Sequence, residues 1–351
     1  MQIIRKKTHT VYVDDVPIGG DSPITIQSMT NTDTKDIQKT ITQIKALEVA
    51  GCEIVRVAVP DKESALAIKQ IKAGVKIPVA ADVQYDHRLA LLSMESGADK
   101  LRINPGTIGS LDNVAKVVKM AKERNVPMRI GVNAGSLEKH ILQKYGSPTP
   151  EALLESALGH VSLVTDLGYD NIVLSLKASS VPLTIEAYKL ASEKTDFPLH
   201  VGITEAGTIS SGKVKSAVGI GTLLYMGIGD TIRVSLTGDP VEEIYCAKDI
   251  LQSLNIRKFG IDIISCPTCG RTKVDLVKIA TQVETLCKNI DKNLTVAIMG
   301  CAVNGPGEAR EADVGIAAGN NEGLLFKKGE IMFKVPEDKL VETLMKEIES
   351  L

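Results

Sequence analysis

The run Met128-Arg129-Ile130-Gly131-Val132-Asn133 sets apolar and polar positions in alternation. A period of two marks a β-strand, whose successive side chains point to opposite faces. Met128, Ile130 and Val132 make one face; Arg129 and Asn133 mark the other. Runs of this kind recur along the chain as Pro23–Met29, Glu53–Val59, Pro78–Val83, Lys100–Asn104, Met128–Asn133, Asn171–Lys177, Leu199–Thr204 and Thr231–Leu236. Amphipathic segments such as Asp36–Ala50, Lys62–Ile71, Leu111–Arg124, Pro150–Leu167, Leu183–Lys194 and Lys213–Tyr225 separate them, and Pro240–Leu254 follows the last. Strand–helix alternation of this length predicts a (β/α)8 TIM barrel. An open doubly wound sheet is the alternative, because periodicity does not reveal closure.

The polar phase is the informative one. It carries Gln27, Arg56, Asp82, Arg102 with Asn104, Arg129 with Asn133, Lys177, His200, and Arg233 with Ser235. Parallel strands are ordinarily covered on both faces and read as continuous apolar runs. Cations pointing into a barrel are costly unless an anion meets them. The five cations here therefore predict a small, multiply anionic ligand at the C-terminal mouth, a diphosphate in the simplest case. Four of the five are arginines, whose planar fork suits phosphate oxygens. Pairing of each arginine with an internal carboxylate such as Asp82 is the plainer structural explanation.

Composition narrows the class. The chain has 351 residues, 44% hydrophobic and 24% charged, with a net charge of −2, which offers no basic field for nucleic acid. With no Trp and only four Phe, it has few platforms for stacking bases. The opening MQIIRKKTHT lacks the apolar core of a signal peptide, and no apolar run is long enough to span a membrane. A cytoplasmic protein with six reduced cysteines is expected.

After Leu254 the alternation stops, which places a barrel domain over 1–255 and a smaller α+β domain over 256–351. A strand at Ile261–Ile264 leads into Cys266-Pro267-Thr268-Cys269, and a strand at Thr295–Met299 leads into Gly300-Cys301. A helix near Val274–Asn289 separates them, and sheet with a closing helix at Lys339–Glu349 completes the domain. Thiolates at strand-to-loop junctions suit zinc or an iron–sulfur centre. Structural zinc ordinarily takes four protein ligands, and Cys52, Cys246 and Cys287 sit in apolar contexts that read as core. Structural zinc and a thioredoxin-like thiol pair remain alternatives at this point.

The motifs CPTCGRT (Cys266–Thr272), GCAVNGPGEA (Gly300–Ala309), LRINPG (Leu101–Gly106), RIGVNAGSLE (Arg129–Glu138), LSLKASS (Leu174–Ser180), HVGITEAG (His200–Gly207) and GIGDTIRVSL (Gly227–Leu236) resemble the 4-hydroxy-3-methylbut-2-enyl diphosphate synthase family, along nearly the whole chain. The resemblance implies a [4Fe–4S] cluster held by Cys266, Cys269, Cys301 and Glu308, the carboxylate being a displaceable ligand. It implies 2-C-methyl-D-erythritol 2,4-cyclodiphosphate as substrate and reduced flavodoxin or ferredoxin as electron donor. Arg56, Arg102, Arg129, Lys177 and Arg233 would bind the diphosphate; Asn133, His200 and Ser235 would help position it, beside Asp82. Glu205 would be the acid near the reacting hydroxyls. One departure is visible, Gln84, where many members have His.

Barrel helices run antiparallel to their strands, so the last of them should end at the bottom face, far from the mouth. That geometry predicts a head-to-tail homodimer in which each cluster domain caps the partner's barrel, with a climb of the segment Asn255–Ser265 back to its own mouth as the alternative. The family resemblance implies the dimeric arrangement. Two other readings stay open: a barrel aldolase or isomerase using Lys177 as a Schiff base with zinc in the small domain, and a non-catalytic phosphate-ligand sensor with a redox-responsive cluster.

Overall fold

A hairpin absent from the sequence-based expectation opens the fold. Strands β1 (Val11–Val13) and β2 (Val16–Ile18) pair antiparallel around a tight turn in which Asp14 adopts φ 56°. The structure, a computed structural model, describes residues 3–351 apart from 273, 288–289, 291, 302–308 and 320. The chain divides into two units, Met1–Ile256 and Arg257–Leu351.

In the first unit the strands are β3 (Thr25–Met29), β4 (Ile54–Ala58), β5 (Val79–Asp82), β6 (Lys100–Ile103), β7 (Met128–Asn133), β8 (Ile172–Lys177), β9 (His200–Val201) and β10 (Thr231–Ile232). They run parallel in the order β8-β7-β6-β5-β4-β3-β10-β9. A parallel bridge between Leu174 and Leu199, with the Leu174 N–H donating to the Pro198 carbonyl at 2.8 Å, brings the two ends of this sheet together. The sheet is thus a barrel and not an open doubly wound layer.

Around it lie α1 (Ile37–Ala50), α2 (Lys62–Gly74), α3 (His87–Glu95), α4 (Leu111–Arg124), α5 (Lys139–Tyr145), α6 (Pro150–Thr165), α7 (Val181–Lys194), α8 (Ile209–Tyr225) and α9 (Pro240–Ser253). Their starts are set locally: Asp36, Asp61, Thr149 and Asp239 each accept a backbone N–H of the first turn. Pro150 and Pro240 then occupy first-turn positions where a missing N–H is harmless. The apolar strand phase, including Val55, Val57, Leu101, Ile103, Ile130 and Leu174, is fully buried. Each such side chain contributes about 1.5–3 kcal/mol.

The last two strands are shorter than expected, two residues each in place of Leu199–Thr204 and Thr231–Leu236. After Val201 the chain reaches Gly202, which lies so close to β10 that a Cβ there would stand 2.4 Å from the Arg233 carbonyl oxygen. The continuous ladder ends there, and the two segments meet again only at a parallel bridge between Thr208 and Thr237. Below, the hairpin packs Val11, Val13 and Ile18 against Ile54, Ala80 and Val173 from the strand beginnings, so the bottom of the barrel is plugged by apolar side chains.

The second unit holds β11 (Asp262–Ser265), α10 (Leu276–Cys287), β12 (Thr295–Met299), β13 (Val314–Ala318), β14 (Glu322–Lys327), β15 (Glu330–Pro336) and α11 (Leu340–Ser350). The sheet order is β11-β12-β13-β14-β15, the first three strands parallel and the rest antiparallel. Leu276 and Val283 from α10 and Leu340, Leu344 and Ile348 from α11 form one core with Val296, Ile298, Val314 and Ile316.

Tyr188 reinforces the thin joint between β8 and β9. Its buried hydroxyl donates to the His200 carbonyl at 2.5 Å and accepts the Leu176 N–H at 3.1 Å. Tyr188→Phe leaves both groups without that partner and should destabilise the protein by about 1–3 kcal/mol. Chemical denaturation of the full chain checks this; an unchanged midpoint would show that the joint does not depend on the hydroxyl.

Candidate active site

The lumen phase converges on Asp82, the last residue of β5. Its carboxylate takes Arg102 Nη1 at 3.0 Å and the Gln84 amide at 2.7 Å on one oxygen, and stands 3.3 Å from Arg56 Nε on the other. Register places Asp82, Arg102 and Arg129 side by side on β5, β6 and β7. Burial pushes the Asp82 carboxyl up, but Arg56, Arg102 and Arg129 together outweigh it and hold it below the usual range. Beside β3 and β10, Glu243 of α9 accepts Arg233 Nη2 at 3.0 Å, the Leu236 N–H at 3.0 Å and the Ser28 hydroxyl at 2.9 Å.

These two carboxylates leave much positive charge without a partner. Among the described residues no carboxylate pairs with Arg129 or Lys177, although both are buried. Arg129 Nε and Nη1, Arg102 Nε, Arg233 Nε and both ring nitrogens of His200 are buried with no hydrogen-bond partner. Burial, then the neighbouring arginines, pushes Lys177 and Arg129 well below their ordinary ranges and Arg56 down to about 10. Burial beside Lys177 and Arg129 likewise holds His200 neutral. Two like charges about 5 Å apart repel by roughly 3 kcal/mol even at an effective dielectric of ~20. Donors aimed into such a lumen suit a ligand rich in anionic oxygens.

Pairing with internal carboxylates thus accounts for Arg56, Arg102 and Arg233, and leaves Arg129 and Lys177 unexplained. Asn133 is half-buried at the end of β7, level with Lys177, and Ser235 is half-buried beyond β10. Glu205 stands apart. It is exposed, in the loop after β9, with φ 52°, a left-handed conformation that non-glycine residues seldom adopt. Gln84 has a structural answer, since its amide fixes the Asp82 oxygen that Arg102 also uses.

Two charged lumen residues escaped the sequence reading. Lys100 shares the period-two phase of Arg102, so its signal was present; Glu243 lies on a helix and has no such signal. The motif loops at the mouth are joined by a further cluster. Glu138 accepts the Ser156 hydroxyl at 2.7 Å and stands 2.5 Å from His160 Nε2. Gly106 leaves room for that imidazole, since a Cβ there would be 2.4 Å from Nε2.

In the second unit the cysteines divide by exposure. Cys52 and Cys246 in the barrel and Cys287 in the smaller unit are buried, and burial pushes the first two thiols up to about 12 and about 11. Cys269 is exposed, and Cys266 and Cys301 are half-buried. Cys266 follows β11 and Cys301 follows β12, adjacent parallel strands whose ends meet where the Gly300 N–H donates to Cys266 Sγ at 3.1 Å. A backbone hydrogen bond from Arg271 lowers the Cys269 thiol below its ordinary range. Among the described residues no three His, Cys, Asp or Glu side chains are grouped to hold a metal ion. The soft donor chemistry of these thiols nevertheless fits an iron–sulfur centre. Glu308, the expected fourth ligand, lies outside the described residues.

Comparison with known proteins gives the same two units separate matches, the GcpE TIM-barrel domain over residues 8–248 and the GcpE protein C-terminal domain over 262–350. The chain belongs to the GcpE family. Its GcpE relatives include the 4-hydroxy-3-methylbut-2-en-1-yl diphosphate synthase (flavodoxin) of Caldanaerobacter subterraneus subsp. tengcongensis, 62% identical over 99% of this chain and 98% of that protein. The protein of the same name from Ruminiclostridium cellulolyticum is 60% identical over 99% of both. Among solved structures, a dihydropteroate synthase from Coxiella burnetii superposes with a TM-score of 0.51 at 11% identity, covering 71% of this chain and all of that one, a likeness of fold alone. No helix among the described residues is long and apolar enough to cross a membrane.

The Asp82 centre makes a prediction about acid stability. A depressed carboxyl contributes stability that is present above the unfolded-state value and lost as pH falls through the folded one. Asp82→Asn should lower stability at neutral pH by about 3 kcal/mol, because two arginines lose their counter-charge. It should also flatten the loss of stability below about pH 4. Denaturation midpoints measured across acidic pH check both effects; a variant that tracks the wild type would remove Asp82 as the organising charge.

Proposed function

We propose that this chain is a flavodoxin-dependent 4-hydroxy-3-methylbut-2-en-1-yl diphosphate synthase that reductively opens and dehydrates 2-C-methyl-D-erythritol 2,4-cyclodiphosphate. The observation that carries the reading is the lumen of unpartnered cations, in a chain whose relatives at 60% identity and above bear the name of a diphosphate-forming enzyme. The depressed ammonium of Lys177 alone would also suit a Schiff-base aldolase; the diphosphate reading is preferred because relatives at 60% identity and above bear the name of a diphosphate synthase.

In this reading Arg56, Arg102, Arg129, Lys177 and Arg233 bind the diphosphate, and their charge stabilises the anion that grows as the ring opens. Asp82, itself a substrate-site residue, keeps Arg56 and Arg102 oriented. Asn133, His200 and Ser235 position the ligand as neutral hydrogen-bonding groups. Glu205, on its strained loop at the mouth, holds the proton that leaves with the departing hydroxyl as water. In the domain 256–351, Cys266, Cys269, Cys301 and Glu308 would hold a [4Fe–4S] cluster, which supplies two electrons one at a time when bound. Flavodoxin, or a ferredoxin in its place, delivers them. We place this chemistry in the cytoplasm.

We further propose a head-to-tail homodimer. Helix α9 descends from the mouth, so the barrel domain, 1–255, ends at its own bottom face. A cluster domain supplied by a partner copy would then complete each site.

Metal analysis of protein purified without oxygen tests the cluster, with about four irons per chain and a broad absorption band near ~400 nm expected. One zinc and no colour after anaerobic reconstitution would overturn the redox reading. Mixing inactive Glu205→Gln and Cys301→Ser chains should restore part of the activity once subunits exchange. Demonstrated exchange with no recovery would rule out a site shared between copies.

A further inference from the structure

Lys100 has no part in the reading above, yet it lies inside the same lumen. On β6 it shares the phase of Arg102, one step lower, beside Ala80 of β5 and in the row of Arg56 on β4. It is 1% exposed, and its Nζ has no hydrogen-bond partner. The charged groups facing it are Arg129 of β7 and Arg56, with neutral His200 of β9 close by. Thr25 and Gln27 on β3, Thr231 on β10 and Ser175 on β8 are buried and uncharged. The hairpin beneath presents Val11, Val13 and Ile18. The lumen carboxylates Asp82 and Glu243 are engaged by Arg102, Arg56 and Arg233.

A lysine in this position weakens the empty barrel in either form. Charged, it meets arginines and no counter-ion; neutral, it buries a polar group without a partner. An unbranched apolar side chain would fill the same space at lower free energy. A residue that opposes folding this plainly points to a use in the occupied state.

We propose that Lys100 is a further ligand-binding group of the barrel, its buried and unpartnered Nζ meeting a diphosphate that occupies the lumen. The inference rests on the diphosphate reading of the site. Burial, with Arg129 and Arg56 nearby, holds its ammonium well below the ordinary range in the empty protein. An arriving diphosphate reverses the sign of the local field. The direction of that shift predicts proton uptake by the amine as the anion binds, with no bond of the ligand broken.

The test is calorimetric titration of inorganic pyrophosphate into the full-length protein at neutral pH, in two buffers of different ionisation heat. Comparing wild type with Lys100→Met, we expect the variant to bind about tenfold more weakly and to take up about one proton fewer. Its melting temperature should equal or exceed that of the wild type. Lys100→Arg, permanently charged, should keep the affinity and also take up about one proton fewer, whereas a Lys100→Met protein that does not fold marks a structural lysine and counts against the inference. Unchanged affinity and proton count in the variants overturn this inference alone, as does a Lys100→Met protein that both melts lower and binds weakly, since that marks a structural lysine. If the wild type does not bind pyrophosphate, the anion-site reading falls and this inference falls with it.

Discussion

Asp82 is the point on which the barrel's polar interior depends. One carboxylate, reached by Arg56, Arg102 and Gln84, holds together a lumen that like-charge repulsion would otherwise disperse. Glu243 does the same beside β3 and β10 for Arg233, reaching over from α9. Neither neutralises Arg129, Lys177 or Lys100, and the apolar floor beneath keeps water from doing so from below. The empty protein thus holds a partly compensated charge in a stiff frame, which is how a site is prepared in advance for an anion.

The frame is built from ordinary parts. Apolar side chains of the outer strand phase seal the barrel to its helices, and capped helix starts fix where each loop returns to the mouth. Irregularity is confined to β9 and β10. There Gly202 lets two backbones approach, the ladder stops after two residues, and Glu205 turns left-handed. Arg56, Arg102, Arg129 and Lys177 lie on the regular strands, whereas Arg233 and Glu205 lie where the regularity ends.

Much of this was legible in the sequence because one periodicity encodes it. The alternation in Met128–Asn133 gave a strand, its buried phase and the direction of Arg129 at once, and the same rule located Arg56, Arg102, Lys177 and Arg233. Lys100 obeys that rule and was passed over because it opens its strand. The hairpin at Val11–Ile18 was missed although Asp14-Asp15 between two apolar runs is a turn signal; three-residue strands are too short to establish a period. Glu243 was not legible at all, since a carboxylate on a helix start looks solvated until the helix is packed against β3 and β10. For the cysteines, apolar surroundings correctly separated the buried Cys52, Cys246 and Cys287 from the accessible Cys266, Cys269 and Cys301. Glu308, proposed as a fourth ligand, is implied by the family resemblance and lies outside the described residues.

The hairpin has a kinetic meaning as well as a structural one. With Val11, Val13 and Ile18 closing the bottom, the barrel is a vessel with a single opening. Whatever enters by the mouth must leave by it. A spent molecule therefore has to clear the passage before a fresh one arrives, and the two exclude each other. On the proposed reading, the charge that would draw an anion in would also oppose its leaving, and emptying the barrel would depend on how readily the cations let go.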